Sequence, residues 1–213
     1  MIAPGDAEPV RCAHVRAEEA LAAARALLRE SPLAAVGLDG PVRPDLQLTK
    51  LGRECERRLG RAPFHLRCKP GSTKAPLGQR LHAEATRLAR ALVASHPEVR
   101  VFEAFPNAFL RTLLAADAFG RVPRRSKSQV YWERCMSDGI LTRVIAALYG
   151  AASAPIAARL TALTQRDERA AAVCALTAQA GALGLDTRIG DPEDGWISLA
   201  PRRFLADWAR EAL

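Results

Sequence analysis

The sequence twice shows a helical pattern followed by a short strand-like run. This arrangement limits the chain to few architectures. Residues 17–30 repeat apolar side chains at helical spacing, and residues 33–38 form an apolar run that stops at Asp39 and the turn after it. A second helical pattern at residues 78–95 precedes the alternating run 99–105. Strands that alternate with helices over short connections predict an α/β fold with parallel strands.

The rest of the chain is predominantly helical in pattern. We expect helices over residues 107–116, 129–149 and 167–183, with a break near Gly139 in the second of them. Residues 42–77 have little periodicity and are rich in basic residues. The 213 residues therefore predict a single domain, with an irregular basic insertion at about 42–77.

The composition is that of an ordinary globular protein. Hydrophobic residues make up 49% of the chain and charged residues 25%, which argues against a disordered polymer. We expect no membrane partner, because no apolar run approaches the roughly 20 residues of a membrane helix. The start of the chain does not resemble a secretory signal, so a cytoplasmic location is the expectation.

Positive charge is concentrated in two stretches of the sequence. The net charge is +8, and residues 43–74 hold nine Lys and Arg against three Asp and Glu, while residues 111–134 hold six against two. Such clusters favour a nucleic-acid partner, although a solvated basic face is the simpler alternative. The candidate phosphate contacts are Lys74, Arg124, Arg125 and Lys127.

Three carboxylates are candidate catalytic and metal-binding residues. Asp39 ends an apolar strand, where ligands of α/β sheets bind, or else it stabilises its own turn. Glu103 shares a strand face with apolar residues, so it points into a site or lies at a sheet edge facing water. Asp167 begins the late helix on its inward stripe, or complements the helix dipole there. Together they would suit Mg²⁺ or Mn²⁺.

Several other classes of site lack support in the sequence. Phosphate-binding GxxxxGK[ST], dinucleotide-binding GxGxxG, esterase GxSxG and zinc-binding HExxH patterns are all absent. The five cysteines form no CxxC pair, so reduced and mostly buried thiols are expected.

Several segments occur in the order seen in one protein family. They are AAVGLDGPVRP, RECERRL, VFEAFPNAFL, the region of Lys127, DERAAAVCALTAQAGALG and EDGWISLAP. In these segments the chain resembles the domain of unknown function 429 family, predicted nucleases with a ribonuclease-H-like fold, over roughly residues 33–201. The resemblance implies a mixed sheet flanked by helices and a two-metal acidic site that cleaves phosphodiester bonds of DNA or RNA. It also implies that Asp39, Glu103 and Asp167 are acids of that site.

The sequence departs from the family pattern at two points. It has no counterpart of the family's first strand-hairpin, which carries a further Asp, and it has Ala170 where the late helix of the family has a second Asp. The alternative is therefore a noncatalytic relative that binds nucleic acid or protein. A small-molecule phosphate enzyme is a third interpretation. A missing strand would leave neighbouring strand edges open, so we expect a homo-oligomer.

Overall fold

The two helix-linked strands expected from the sequence lie side by side in the sheet. The protein is described by a computed structural model over residues 2, 10, 14–15, 18–30, 35–43, 52–65, 68, 73, 75–118 and 127–213. The elements of these residues are, in chain order, α1 (Ala20–Glu30), β1 (Ala35–Asp39), α2 (Glu54–Leu59), α3 (Pro76–Ser95), β2 (Arg100–Ala104), α4 (Pro106–Thr112), α5 (Lys127–Ser137), α6 (Ile140–Tyr149), α7 (Ser153–Thr161), α8 (Arg166–Ala182), β3 (Asp186–Asp191), β4 (Gly195–Pro201) and α9 (Asp207–Ala212).

The four strands form one mixed sheet in the order β1-β2-β4-β3. Strand β2 pairs in parallel with both β1 and β4, whereas β3 pairs antiparallel with β4. Leu38 lies beside Glu103, and Asp39 lies beside Ala104. The expected α/β class, with a mixed sheet flanked by helices, is confirmed.

Helix α8 packs closely on one face of this sheet. Gly37 of β1 faces the helix, and a Cβ atom there would overlap the carbonyl oxygen of Cys174. Gly181 of α8 likewise leaves room for the ring of Phe102 in β2. These two glycines let backbone and ring approach where any larger side chain would separate the helix from the sheet.

The opposite face of β1 and β2 is covered by α1 and α3. Leu92 of α3 and Val99 form a small buried cluster there, against which Val36 and Val101 pack. The larger core lies around α4 to α8 and the β3–β4 hairpin, and its fully buried large side chains include Phe109, Trp132, Leu141, Ile145, Ile156, Leu160, Leu176, Ile189 and Ile197.

Several expectations for the local structure need correction. The stretch 42–77 is not irregular throughout, because α2 lies within it, and β3 was not expected at all. The expected break near Gly139 is confirmed: α5 ends at Ser137, and Gly139 has a φ of 64°. That left-handed conformation is readily adopted by glycine, so the two helices can turn here.

One helical stretch, Ile140–Thr161, is long and apolar enough to cross a membrane by length and composition. The expectation that no stretch approaches that length is therefore wrong. In the structure a 3-10 turn at Gly150 separates α6 from α7, and Leu141 and Ile156 are fully buried in the larger core. These two side chains pack in the core, whereas 28% of the most apolar part of the stretch is buried in all.

Strand β1 lies at an edge of the sheet. Within the described part of the chain, β2 is the only strand that pairs with it. An unpaired edge is the feature from which we expect self-association, and the homo-oligomer remains a prediction.

Candidate functional site

A pocket of about 130 Å³ opens at the carboxyl ends of β1 and β2. The strand end of β1, the first turns of α4 and α5, and the first two turns of α8 surround it. Its lining residues are Asp39, Phe105, Pro106, Asn107, Leu110, Ser128, Gln129, Thr164, Arg166, Arg169, Ala170 and Val173. Crevices outside the carboxyl ends of parallel strands are the usual ligand sites of α/β sheets, so this pocket is the candidate site.

Asp39 contributes the carboxylate of the pocket. Its side chain is accessible to solvent through the pocket opening, while the concave wall of the pocket places many protein atoms near it. Desolvation, helped by the negative charge of Glu103, raises the pKa of Asp39 to about 6, and Arg166 opposes the shift. The Asp39 carboxylate is therefore mostly ionised at pH 7 and takes up a proton as the pH falls through about 6.

Two guanidinium groups lie with Asp39 in the lining. Arg169 is held in place: its Nε donates to the carbonyl oxygen of Leu163 at 2.9 Å, and its guanidinium carbon lies 5.9 Å from the ring centroid of Trp132. Arg166 is exposed at the first residue of α8. The Glu133 carboxylate lies 3.8 Å from Arg169 and offsets part of its charge. The lining itself holds two cations and one carboxylate at the positive end of a helix dipole, which favours an anion.

Glu103 lies outside the pocket, in a buried ion pair. Its two carboxylate oxygens accept hydrogen bonds from Arg53 at 2.6 and 2.8 Å, and both side chains are nearly inaccessible to solvent. Arg53 also donates to Glu56 at 3.0 Å, and Glu56 accepts a further bond from the backbone of Thr73. Burial raises the pKa of Glu103, and the bonds from Arg53 oppose that effect. This network joins α2 to the sheet.

Asp39 and Glu103 point to opposite faces of the sheet. Residues paired in register point to the same face and successive residues alternate, so Asp39 faces α8 together with Ala104. Glu103 and Leu38 face the other way, toward α2 and α3. These two acids therefore do not converge on one ion.

Asp167 does not join Asp39 either. The sequence placed it on the inward stripe of α8, but its side chain is exposed and it does not line the pocket. Ala170 and Val173 line the pocket instead. Carboxylate oxygens are the ligands that Mg²⁺ and Mn²⁺ require, and no cluster of three metal-ligating side chains is found among the described residues. Within the described part of the chain, the three candidate acids therefore do not come together as a two-metal acidic site.

The candidate phosphate contacts are only partly described. Lys127 is half-buried at the first residue of α5, directly before Ser128 and Gln129 of the pocket lining. Lys74, Arg124 and Arg125 lie outside the described residues.

Some of the clustered positive charge has a structural role. Arg53 is buried against Glu103, and Arg111 is buried with its guanidinium donating to the carbonyl oxygen of Leu114 at 2.6 Å. The guanidinium carbon of Arg111 also lies 5.0 Å from the ring centroid of Trp208. Charge density along the sequence therefore overstates the basic surface.

The expectation of buried thiols is confirmed for four cysteines. Cys55, Cys68, Cys135 and Cys174 are free and buried, and Cys12 lies outside the described residues. Desolvation raises the pKa of Cys55 and of Cys135 to about 12, so both remain protonated and poorly nucleophilic.

Sequence reasoning missed two arginines. Arg166 lines the pocket, and Arg53 pairs with the buried Glu103. Arg166 directly precedes Asp167, and its position at a helix start was the available signal. Arg53 had no such signal, because its partner lies 50 residues away.

Comparisons with family models, with curated proteins and with solved structures found no match to this chain.

Proposed function

We propose that this protein binds nucleic acid through the pocket at the carboxyl ends of β1 and β2, as a noncatalytic relative of ribonuclease-H-like nucleases. The observation that carries the proposal is the charge of the lining, in which Arg166 and Arg169 accompany a single carboxylate, Asp39. Phosphate groups are bound by such guanidinium groups and by helix N-termini. Lys127, directly before Ser128 and Gln129 of the lining, adds a further positive charge next to the pocket.

The same observation explains why binding is favoured over two-metal hydrolysis. A pair of divalent ions needs several carboxylates on one side of the substrate. Here Glu103 is neutralised by Arg53 on the opposite face, and Ala170 contributes only a methyl group to the pocket. What remains is a site whose charge complements a phosphate rather than a cation.

A titration of a fluorescein-labelled single-stranded DNA 12-mer with the full chain in EDTA tests the proposal. Neutralised phosphates release counterions, so the affinity should fall steadily as the salt concentration rises from 50 to 200 mM. Fluorescence anisotropy at three salt concentrations measures this slope. No binding at 50 mM salt, with single- or double-stranded oligonucleotides, would reject the proposal.

Phosphodiester hydrolysis is a second candidate, favoured by Asp39. A carboxylate with a pKa of about 6 beside Arg166 is suited to act as a general base at neutral pH. Cleavage of single-stranded, duplex and hybrid substrates, each with EDTA, Mg²⁺ or Mn²⁺, tests this role. Equal rates for the natural protein and for Asp39→Asn would reject it.

A further inference from the structure

The pocket has a graded lining, apolar at depth and polar at its rim. Leu110 and Val173 are buried at the inner end, together with Pro106, whereas Arg166 and Gln129 are exposed. A phosphate alone needs charge and hydrogen-bond donors, so it leaves an apolar inner surface without a partner. The occupant that matches this lining has an apolar, flat part and an anionic part next to it.

Resting on the proposed function, we propose that the pocket takes one unstacked pyrimidine base of a single strand, with the adjoining phosphate on Arg166. Phe105 is half-buried in the lining and offers an aromatic surface against which a base can pack. The polar side chains of Asn107, Ser128 and Gln129 also line the pocket.

The size of the pocket selects a single ring over a fused pair. A cavity of roughly 150 Å³ accommodates benzene, and this pocket of about 130 Å³ is slightly smaller. Thymine, uracil and cytosine have one six-membered ring with small substituents, whereas adenine and guanine add a fused five-membered ring. We therefore expect the pocket to favour a pyrimidine over a purine.

An unpaired hydrogen-bond acceptor in the described part of the lining supports the same occupant. Asn107 lines the pocket, and its Oδ1 has no hydrogen-bond partner among the described residues. Within this part of the chain, the buried oxygen is therefore an unused hydrogen-bond acceptor at the pocket, which a base donor can satisfy. Single-stranded bases are read through such edge contacts and through stacking.

The test compares three labelled 12-mers, dT12, dA12 and an abasic chain with the same phosphates, in EDTA at 100 mM salt. The base pocket predicts that dT12 binds about tenfold more tightly than the abasic chain, a ratio within the range for one stacked base. It predicts that dA12 binds at least about fivefold more weakly than dT12. Equal affinity for all three would overturn the base pocket and leave the proposed function standing. Absence of binding to all three would reject both.

A pair of neighbouring variants localises the effect. Ala170→Leu fills the pocket, whereas Ala171→Leu places the same side chain on the exposed side of α8. We expect Ala170→Leu to lower dT12 affinity to that of the abasic chain, with abasic binding unchanged, and Ala171→Leu to alter neither. Thermal melts confirm that both variants are folded. If folded Ala170→Leu keeps the full dT12 preference, the base lies elsewhere and the proposal is wrong.

Discussion

The two faces of the β1–β2 pair carry one carboxylate each, and the two carboxylates have opposite surroundings. On the α8 face, Asp39 opens into a pocket with Arg166 beside it. On the α3 face, Glu103 is enclosed and bonded through both oxygens to Arg53. A carboxylate in a buried ion pair connects secondary-structure elements, whereas a carboxylate that lines an open pocket can contact a ligand. The same residue chemistry thus serves structure on one face and binding on the other.

The largest effect is expected on the enclosed face. Glu103→Gln leaves the buried Arg53 cation without its full counter-charge, so it should lower the free energy of unfolding by about 3 kcal/mol. Glu84→Gln is the matched control, because Glu84 pairs with Arg87 at 2.8 Å on the exposed side of α3. That variant should cost less than about 1 kcal/mol. Urea unfolding measures both. Equal losses would show that the Glu103 pair has no special structural role.

The next effect is expected on the open face. Arg166→Gln removes one phosphate contact, so we expect affinity for dT12 to fall about tenfold and the salt slope to decrease by about one. Arg90→Gln, at an exposed position in the second half of α3, removes the same charge far from the pocket. Anisotropy titrations compare the two variants. If both weaken binding equally, the interaction is with the overall charge of the protein and not with the pocket.

A smaller effect concerns the titration of Asp39. Its pKa of about 6 means that a negative charge leaves the pocket as pH falls from 7.5 to 5. Binding of dT12 should therefore strengthen about fivefold, on the order of the 1 kcal/mol between two unit charges 4 Å apart in water. Asp39→Asn should bind with the stronger affinity at both pH values. Thymidine phosphodiesters do not titrate in this range. Identical pH profiles for the two proteins would contradict the role of Asp39.

The smallest effect is on stability. A raised pKa means that ionisation of Asp39 disfavours the folded state, so this penalty is present above pH 6 and disappears as pH falls below about 4. Asp39→Asn should therefore be slightly more stable than the natural protein at pH 7.5, by less than about 1 kcal/mol because the side chain is exposed. The two proteins should converge at pH 4. Parallel urea titrations at both pH values measure the difference, and a destabilised Asp39→Asn at pH 7.5 would contradict this account.

The sequence was sufficient for the parts of the fold that depend on local pattern. The apolar run that stops at Asp39 is a strand whose end lines the pocket, because period and turn chemistry are local properties. Strand β3 escaped prediction because its sequence DTRIGD has little apolar character. Its Asp186 accepts a hydrogen bond from Ser198 of β4, a contact that only the paired hairpin provides.

The site was less accessible to sequence reasoning, for two physical reasons. Whether Asp39 and Glu103 share a face depends on the register between β1 and β2, which neither strand encodes alone. The inward stripe of α8 was misjudged because alanines occupy several of its faces. Asp167, expected on the inward stripe, is exposed, and Ala170 lines the pocket. A helix with weak contrast between faces cannot be oriented by periodicity.

A single NMR titration tests the division between the two faces most directly. Unlabelled dT12 is added to ¹⁵N-labelled protein, and the backbone amide shifts are followed residue by residue. We expect the largest changes at the amides of Asp39, Asn107, Arg166 and Ala170, while the amide of Glu103 on the opposite face changes little. Large changes confined to α2 and α3, with the pocket amides unmoved, would contradict it.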